Sequence, residues 1–137
     1  MAVRDNYSQG FTKVRLNGLL IDNLGSGDPI RYIEPEDGAT VQAGLSSAQL
    51  SYSTNSTGMI EIDVWGNSNA RSICKALKAA QIGGNALPLV VTLQSGYGEI
   101  YTALESGVQS TGGLTTGGAE GAVHTIKIAC KEIVPLP

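Results

Sequence analysis

Apolar and polar residues alternate most regularly at two places in this chain, Met59–Trp65 and Val123–Val134, and each stretch predicts a half-buried strand. In the first, Ile60, Ile62 and Val64 share one face while Glu61 and Asp63 take the other. In the second, Ile126, Ile128 and Cys130 alternate with Thr125, Lys127, Ala129 and Lys131. Residues 12–21 (TKVRLNGLLI) read as one further strand with Val14, Leu16 and Leu20 in register, and the polar, glycine-rich run 22–29 reads as a turn. Ile30 to Glu34 reads as a short strand. Leu89–Leu93 and Glu99–Leu104, joined through Ser95-Gly96-Tyr97-Gly98, read as a hairpin.

The period changes once. After Gly66, Asn67 or Ser68 is suited to cap a helix over about residues 68–82, with Ile73, Ala76, Leu77 and Ala80 as its apolar stripe and Gly83-Gly84 as its stop. Arg71, Lys75 and Lys78 stand four and three apart and form a basic ridge on that helix, either a solvated face or a dock for an acidic partner. Between Pro35 and Gly58 the chain turns to Ser, Thr, Gly, Asn and Gln, with weak strand signals at Val41 and over Ala48–Tyr52. So long an excursion in a small domain is unusual and reads as a surface that meets another subunit. Residues 107–121 read as a Gly/Thr-rich loop, and residues 1–11 as an arm that gains order from a partner. The coarse expectation is an antiparallel sheet protein with one helix.

Composition narrows this picture. The 137 residues fit one domain, 1–137, and 42% hydrophobic residues suffice for a core, whereas 5% aromatics and 18 glycines favour thin sheets and many turns. Nine basic and twelve acidic residues are spread along the chain, so no polybasic patch is available to follow nucleic-acid phosphates. No apolar run approaches the roughly 20 residues that span a bilayer, and the N-terminus lacks the charged-then-apolar order of a signal, which points to cytoplasmic synthesis and assembly.

Candidate chemistry is sparse. The single histidine, His124, and Cys130 share a face of one strand but lie roughly 20 Å apart at about 3.3 Å per residue, too far for a catalytic pair. Cys74 and Cys130 lack the spacing of a zinc site and read first as buried thiols. The glycine clusters are not followed by the Lys-Ser or Lys-Thr of a phosphate loop. Glu61 and Asp63 read as a solvent-facing acidic stripe before they read as a paired-carboxylate site. Asn55-Ser56-Thr57 matches a glycosylation acceptor by chance. No cofactor, metal or small-molecule substrate is expected, and no enzyme activity.

Taken in order, five stretches resemble the tail tube proteins of contractile-tailed bacteriophages: Ser26-Gly27-Asp28-Pro29-Ile30, Gly44-Leu45-Ser46-Ser47, Gly58-Met59-Ile60-Glu61-Ile62-Asp63-Val64, Ser68-Asn69-Ala70 and Thr125-Ile126-Lys127-Ile128-Ala129. The Gly107 to Gly121 run has no counterpart in that pattern. The resemblance implies a mainly β fold, two packed antiparallel sheets as a sandwich or barrel with one flanking helix. It implies homo-hexameric rings stacked into a virion tube that is architecturally similar to the inner tube of type VI secretion systems. Such a tube is a conduit for DNA ejection and a shaft for envelope penetration. Its partners would be further copies of the chain, the tail sheath protein, and baseplate and tail terminator proteins, with DNA passing through unbound. The resemblance further implies that Ala39 to Ser56, within the span 35–58, reaches the adjacent ring, that Arg71, Lys75 and Lys78 face the sheath, and that Glu61 and Asp63 line an acidic lumen. In that setting Cys74 and Cys130 become candidates for inter-subunit disulfides. A monomeric β-sandwich binding module, such as a baseplate or host-surface adhesin, is the alternative reading.

Overall fold

A computed structural model describes residues 12–25, 29–35, 38–53, 55–114 and 122–136. The expected N-terminal arm, 1–11, and much of the 107–121 run lie outside the described residues. Among the described residues nine strands and one helix follow in the order β1 (Lys13–Leu16), β2 (Leu19–Leu20), β3 (Ile30–Ile33), β4 (Ala39–Ala43), β5 (Ala48–Tyr52), β6 (Gly58–Trp65), α1 (Asn69–Ile82), β7 (Leu89–Gln94), β8 (Ile100–Ser110) and β9 (Val123–Leu136). The protein is mainly β, with two antiparallel sheets and one flanking helix, as expected. The sheets are unequal: one has seven strands in the order β2-β1-β7-β8-β9-β6-β3, and the other is the two-stranded pair β4-β5.

The large sheet is rolled. In a flat sheet β3 and β7 would lie about 19 Å apart at about 4.8 Å per strand, yet Ile30 and Tyr32 line one pocket together with Leu93 and Gln94. Tyr32 of β3 also meets Tyr101 of β8, ring centroids 5.6 Å apart. The strand alternation aims Val14, Leu16, Ile60, Ile62, Val64, Leu89, Val91, Leu93, Ile126 and Ile128 into the space enclosed. Removing these side chains from water is the main term holding the roll together, at roughly 1.5–3 kcal/mol for each large one.

The helix covers one end of this core with Ala70, Cys74 and Leu77. Ala76, placed on the apolar stripe from sequence, is exposed. Ser68 is the N-cap: its Oγ accepts from the Ala70 N–H and donates to the Asp22 carbonyl, 2.7 Å away. The Asp22 carboxylate accepts from the Asn69 N–H, and the Asn69 side-chain oxygen accepts from the Asp22 N–H. At the other end Gly84, with φ +81°, lets the Gly84 and Asn85 N–H groups fold back onto Gln81 and Ala80 carbonyls, a closure that a Cβ would strain.

Three expectations about local structure change. Residues 12–21 are not one strand but a hairpin, because Asn17 and Gly18 (φ 50° and 85°) form a two-residue turn whose twist suits tight antiparallel pairing, and Leu20 is consequently exposed. The return strand after Tyr97 does not stop at Leu104 but runs as β8 to Ser110. Beyond the end of β7, Gln81 takes over the missing partner: its amide donates to the Val108 carbonyl and accepts from the Val108 N–H, both at 2.8 Å. The 35–58 excursion holds the β4–β5 hairpin in place of an irregular loop.

Candidate functional site

The β4–β5 hairpin pairs Ala39 with Tyr52, Val41 with Leu50 and Ala43 with Ala48, and between them Thr40 with Ser51 and Gln42 with Gln49. Directly opposed residues in an antiparallel pair share a face. One face of the hairpin is therefore Ala39, Val41, Ala43, Ala48, Leu50 and Tyr52, wholly apolar but for one phenol. The other is Thr40, Gln42, Gln49 and Ser51, wholly polar. The apolar face meets water: Val41 is 68% exposed, Leu50 50% and Tyr52 77%.

The hairpin is anchored at its base and capped at its tip. The Ser53 N–H donates to the Gly38 carbonyl, and the Ile133 N–H donates to the Ser56 carbonyl. Asn55 accepts from both the Thr57 N–H and the Thr57 hydroxyl, so the Asn55-Ser56-Thr57 triplet makes a turn that returns the chain to β6. At the tip Gly44 and Ser47 close the loop and Leu45 projects fully into solvent. From Gly38 to Gly58 the sequence contains no charged residue.

Glu61 and Asp63 lie together on the outward face of β6, but they are not a bare acidic stripe. Arg31, opposite Glu61 on β3, donates through Nε to Glu61 at 3.0 Å and through Nη1 and Nη2 to the two Asp63 oxygens at 2.9 and 3.0 Å. Thr125 on β9 donates to Asp63 at 2.7 Å. The Arg31 fork holds the Asp63 carboxyl below its usual range against the opposing effect of burial, and the two acids raise the Arg31 guanidinium in turn. Lys127 stands opposite Glu61 on the other flank. The partner of these acids comes from a strand 30 positions away, which no local pattern reveals.

The basic ridge is only partly a ridge. Arg71 folds back, donating through Nη1 to the Gly66 carbonyl at 3.1 Å, while its Nε and Nη2 are covered without a hydrogen-bond partner. Lys78 donates to the Gln109 carbonyl at 3.1 Å, and Lys75 between them is exposed. His124 is buried at 3% exposure with Nδ1 unpartnered, and burial together with Arg71 and Lys75 holds its pKa below the ordinary value.

Cys74 and Cys130 are free thiols inside the core, at 0% and 4% exposure, and burial pushes the Cys74 thiol up to about 11. A disulfide from Cys74 to another subunit would require α1 to lift from the sheet. Among the described residues no group of three or more His, Cys, Asp or Glu converges as a metal site. A pocket of about 280 Å³ opens where β3 curls back onto the β7–β8 turn, walled by Ile30, Tyr32, Leu93, Gln94, Tyr97 and Tyr101 among others, and none of its described wall residues is charged.

No family model matches the chain, and no curated protein sequence matches it either. Among solved structures it is similar to a chain in the cryo-electron-microscopy structure of the anti-feeding prophage cap, described as the tube terminating cap. The two share 12% sequence identity at a TM-score of 0.57, over 99% of this chain and 94% of that one. At that identity the likeness establishes a shared fold over essentially the full length of both chains.

Proposed function

We propose that this chain is a non-catalytic structural subunit of a contractile tail or a related injection particle, and that it works by assembling with copies of itself into rings that stack as a tube. The observation that carries the reading is the β4–β5 hairpin. A lone two-stranded hairpin is marginal in water, and an apolar face held in solvent on such an arm gains stability only when something covers it. Repetition of one modest contact around a ring and along a stack then yields a rigid assembly. The fold shared with the tube terminating cap of the anti-feeding prophage supports a tail setting, and the scarcity of titratable chemistry outside ion pairs and the core among the described residues supports a structural role.

In this reading the tube is hexameric, DNA passes through it without specific binding, and the sheath meets the α1 side, where Lys75 is the exposed cation and Arg71 and Lys78 are tied to the body. Glu61 and Asp63, matched by Arg31 and Lys127, present a nearly neutral patch wherever they face. The named likeness to a cap favours one second reading, a ring that terminates a tube without extending it. Electron microscopy of the purified protein separates these outcomes. Hollow rods of indefinite length are expected for a tube subunit and single rings for a cap, whereas particles of monomer size at high concentration overturn assembly altogether.

A further inference from the structure

The described residues include a projecting apolar knob that none of them covers and an open apolar pocket that none of them fills. The knob is Leu45, held away from the body by the β4–β5 hairpin and its Gly44–Ser47 closure. The pocket is the cleft beside Tyr32 and Tyr101, where the rolled edge of the large sheet faces the β7–β8 turn. Its volume of about 280 Å³ equals the liquid space of roughly nine waters, enough for a leucine side chain and part of the turn that bears it. Leu45 is completely exposed, so the hairpin of the same chain does not occupy the pocket.

Charge narrows the choice of occupant. None of the described residues of the pocket wall is ionised, and the hairpin from Gly38 to Gly58 holds no charged residue. A charged peptide or nucleic acid would lose hydration on entering without gaining a counter-charge. An uncharged apolar knob loses nothing, and every copy of the chain supplies one. Knob and pocket are different surfaces, so their union is heterologous: it propagates from copy to copy and either closes a ring or extends a stack.

We infer that the Tyr32–Tyr101 pocket is the receptor for the β4–β5 hairpin of a second copy of this chain, with Leu45 as the inserted anchor. The inference rests on the self-assembly reading and adds to it the receiving site. The tilted pair Tyr32 and Tyr101 forms an aromatic wall suited to an aliphatic side chain, and the apolar hairpin face extends the contact beyond the knob.

The test uses the full chain with Leu45→Cys and Gln94→Cys combined, beside each single variant and Leu45→Asp. Mild oxidation of the double variant is expected to yield a ladder of disulfide-linked multimers that neither single variant forms, the buried Cys74 and Cys130 staying silent. Leu45→Asp is expected to weaken association at least about tenfold, as burial of an unpaired carboxylate demands. At concentrations where the parent is monomeric, the variant's circular dichroism and melting temperature should match the parent, because Leu45 is completely exposed in the free chain. Wild-type-like association of Leu45→Asp, cross-linking no greater than in the single variants, or disulfide formed only within one chain would each overturn the inference while leaving assembly itself intact. A parent protein that stays monomeric at high concentration would overturn both.

Discussion

β6 and the β4–β5 hairpin follow the same rule of alternation and meet opposite fates. In β6, Ile60, Ile62 and Val64 are completely buried, because β9 and β3 flank the strand and the rolled sheet and α1 close over it. In the hairpin, Val41 and Leu50 alternate just as strictly and remain half or more exposed, because the pair joins no other strand of the described chain. Alternation therefore says which side chains share a face. It does not say whether the covering layer belongs to the same molecule. The contrast makes β6 a folding element and the hairpin an association element, and substitutions in the two should separate stability from assembly.

The largest stability effect belongs to the sheet centre. Ile62→Ala is expected to destabilise the protein by about 2–5 kcal/mol, the cost of lost burial plus a residual cavity, read as a lowered denaturation midpoint at unchanged slope. Next is the narrow crossing where the hairpin returns to β6. A Cβ on Gly58 would lie 2.6 Å from the Tyr32 ring, 2.7 Å from Ile133 and 3.2 Å from the Ile33 carbonyl. Both side chains must shift to admit it and the Ile33 carbonyl is backbone of the paired strand β3, so Gly58→Ala should cost about 1–3 kcal/mol in the same assay. Ser68→Ala removes the cap that ties α1 to Asp22 and should cost about 1 kcal/mol, with the loss visible as faster amide exchange in the first helical turn.

Acid offers a further probe of the body alone. Burial and the cations Arg71 and Lys75 depress the folded-state pKa of His124, so the unfolded chain takes up a proton first. Stability is complete above the unfolded value of about 6.5 and falls as pH drops below it. Asp63, depressed by Arg31, adds a second loss only below about pH 4. Thermal melts across pH 4–7 should show the first decline in the parent and a flatter curve in His124→Gln. The smallest stability effect is expected in the hairpin: Val41→Ser with Leu50→Ser should change the monomer by no more than about 0.5 kcal/mol while association is lost.

How much of this was legible in the sequence follows from how local each cause is. β6, β9, the hairpin after Leu89 and the helix with a cap at Asn67 or Ser68 could be read directly, since alternation, capping and glycine stops are short-range signals. Asn17-Gly18 carries a two-residue turn signal as well, masked by the apparent alternation of Leu20 with Val14 and Leu16. The extension of β8 to Ser110 depends on Gln81, 27 positions away from Val108, and so had no local trace. Likewise Glu61 and Asp63 appeared as an acidic stripe because their counter-ion, Arg31, is distant in the chain and near only across the β3–β6 register. Val41 and Ala48–Tyr52 did give weak strand signals. What they could not convey is the sorting of apolar and polar side chains onto opposite faces, which exists only once the two strands pair.

The central claim is that the exposed hairpin face drives self-association, and sedimentation velocity over a wide concentration range tests it most directly. The parent protein is expected to shift from slow to fast-sedimenting species as concentration rises, while the Val41→Ser, Leu50→Ser variant remains a folded monomer throughout. A parent that sediments as a monomer at every concentration, or a variant that assembles as the parent does, would contradict it.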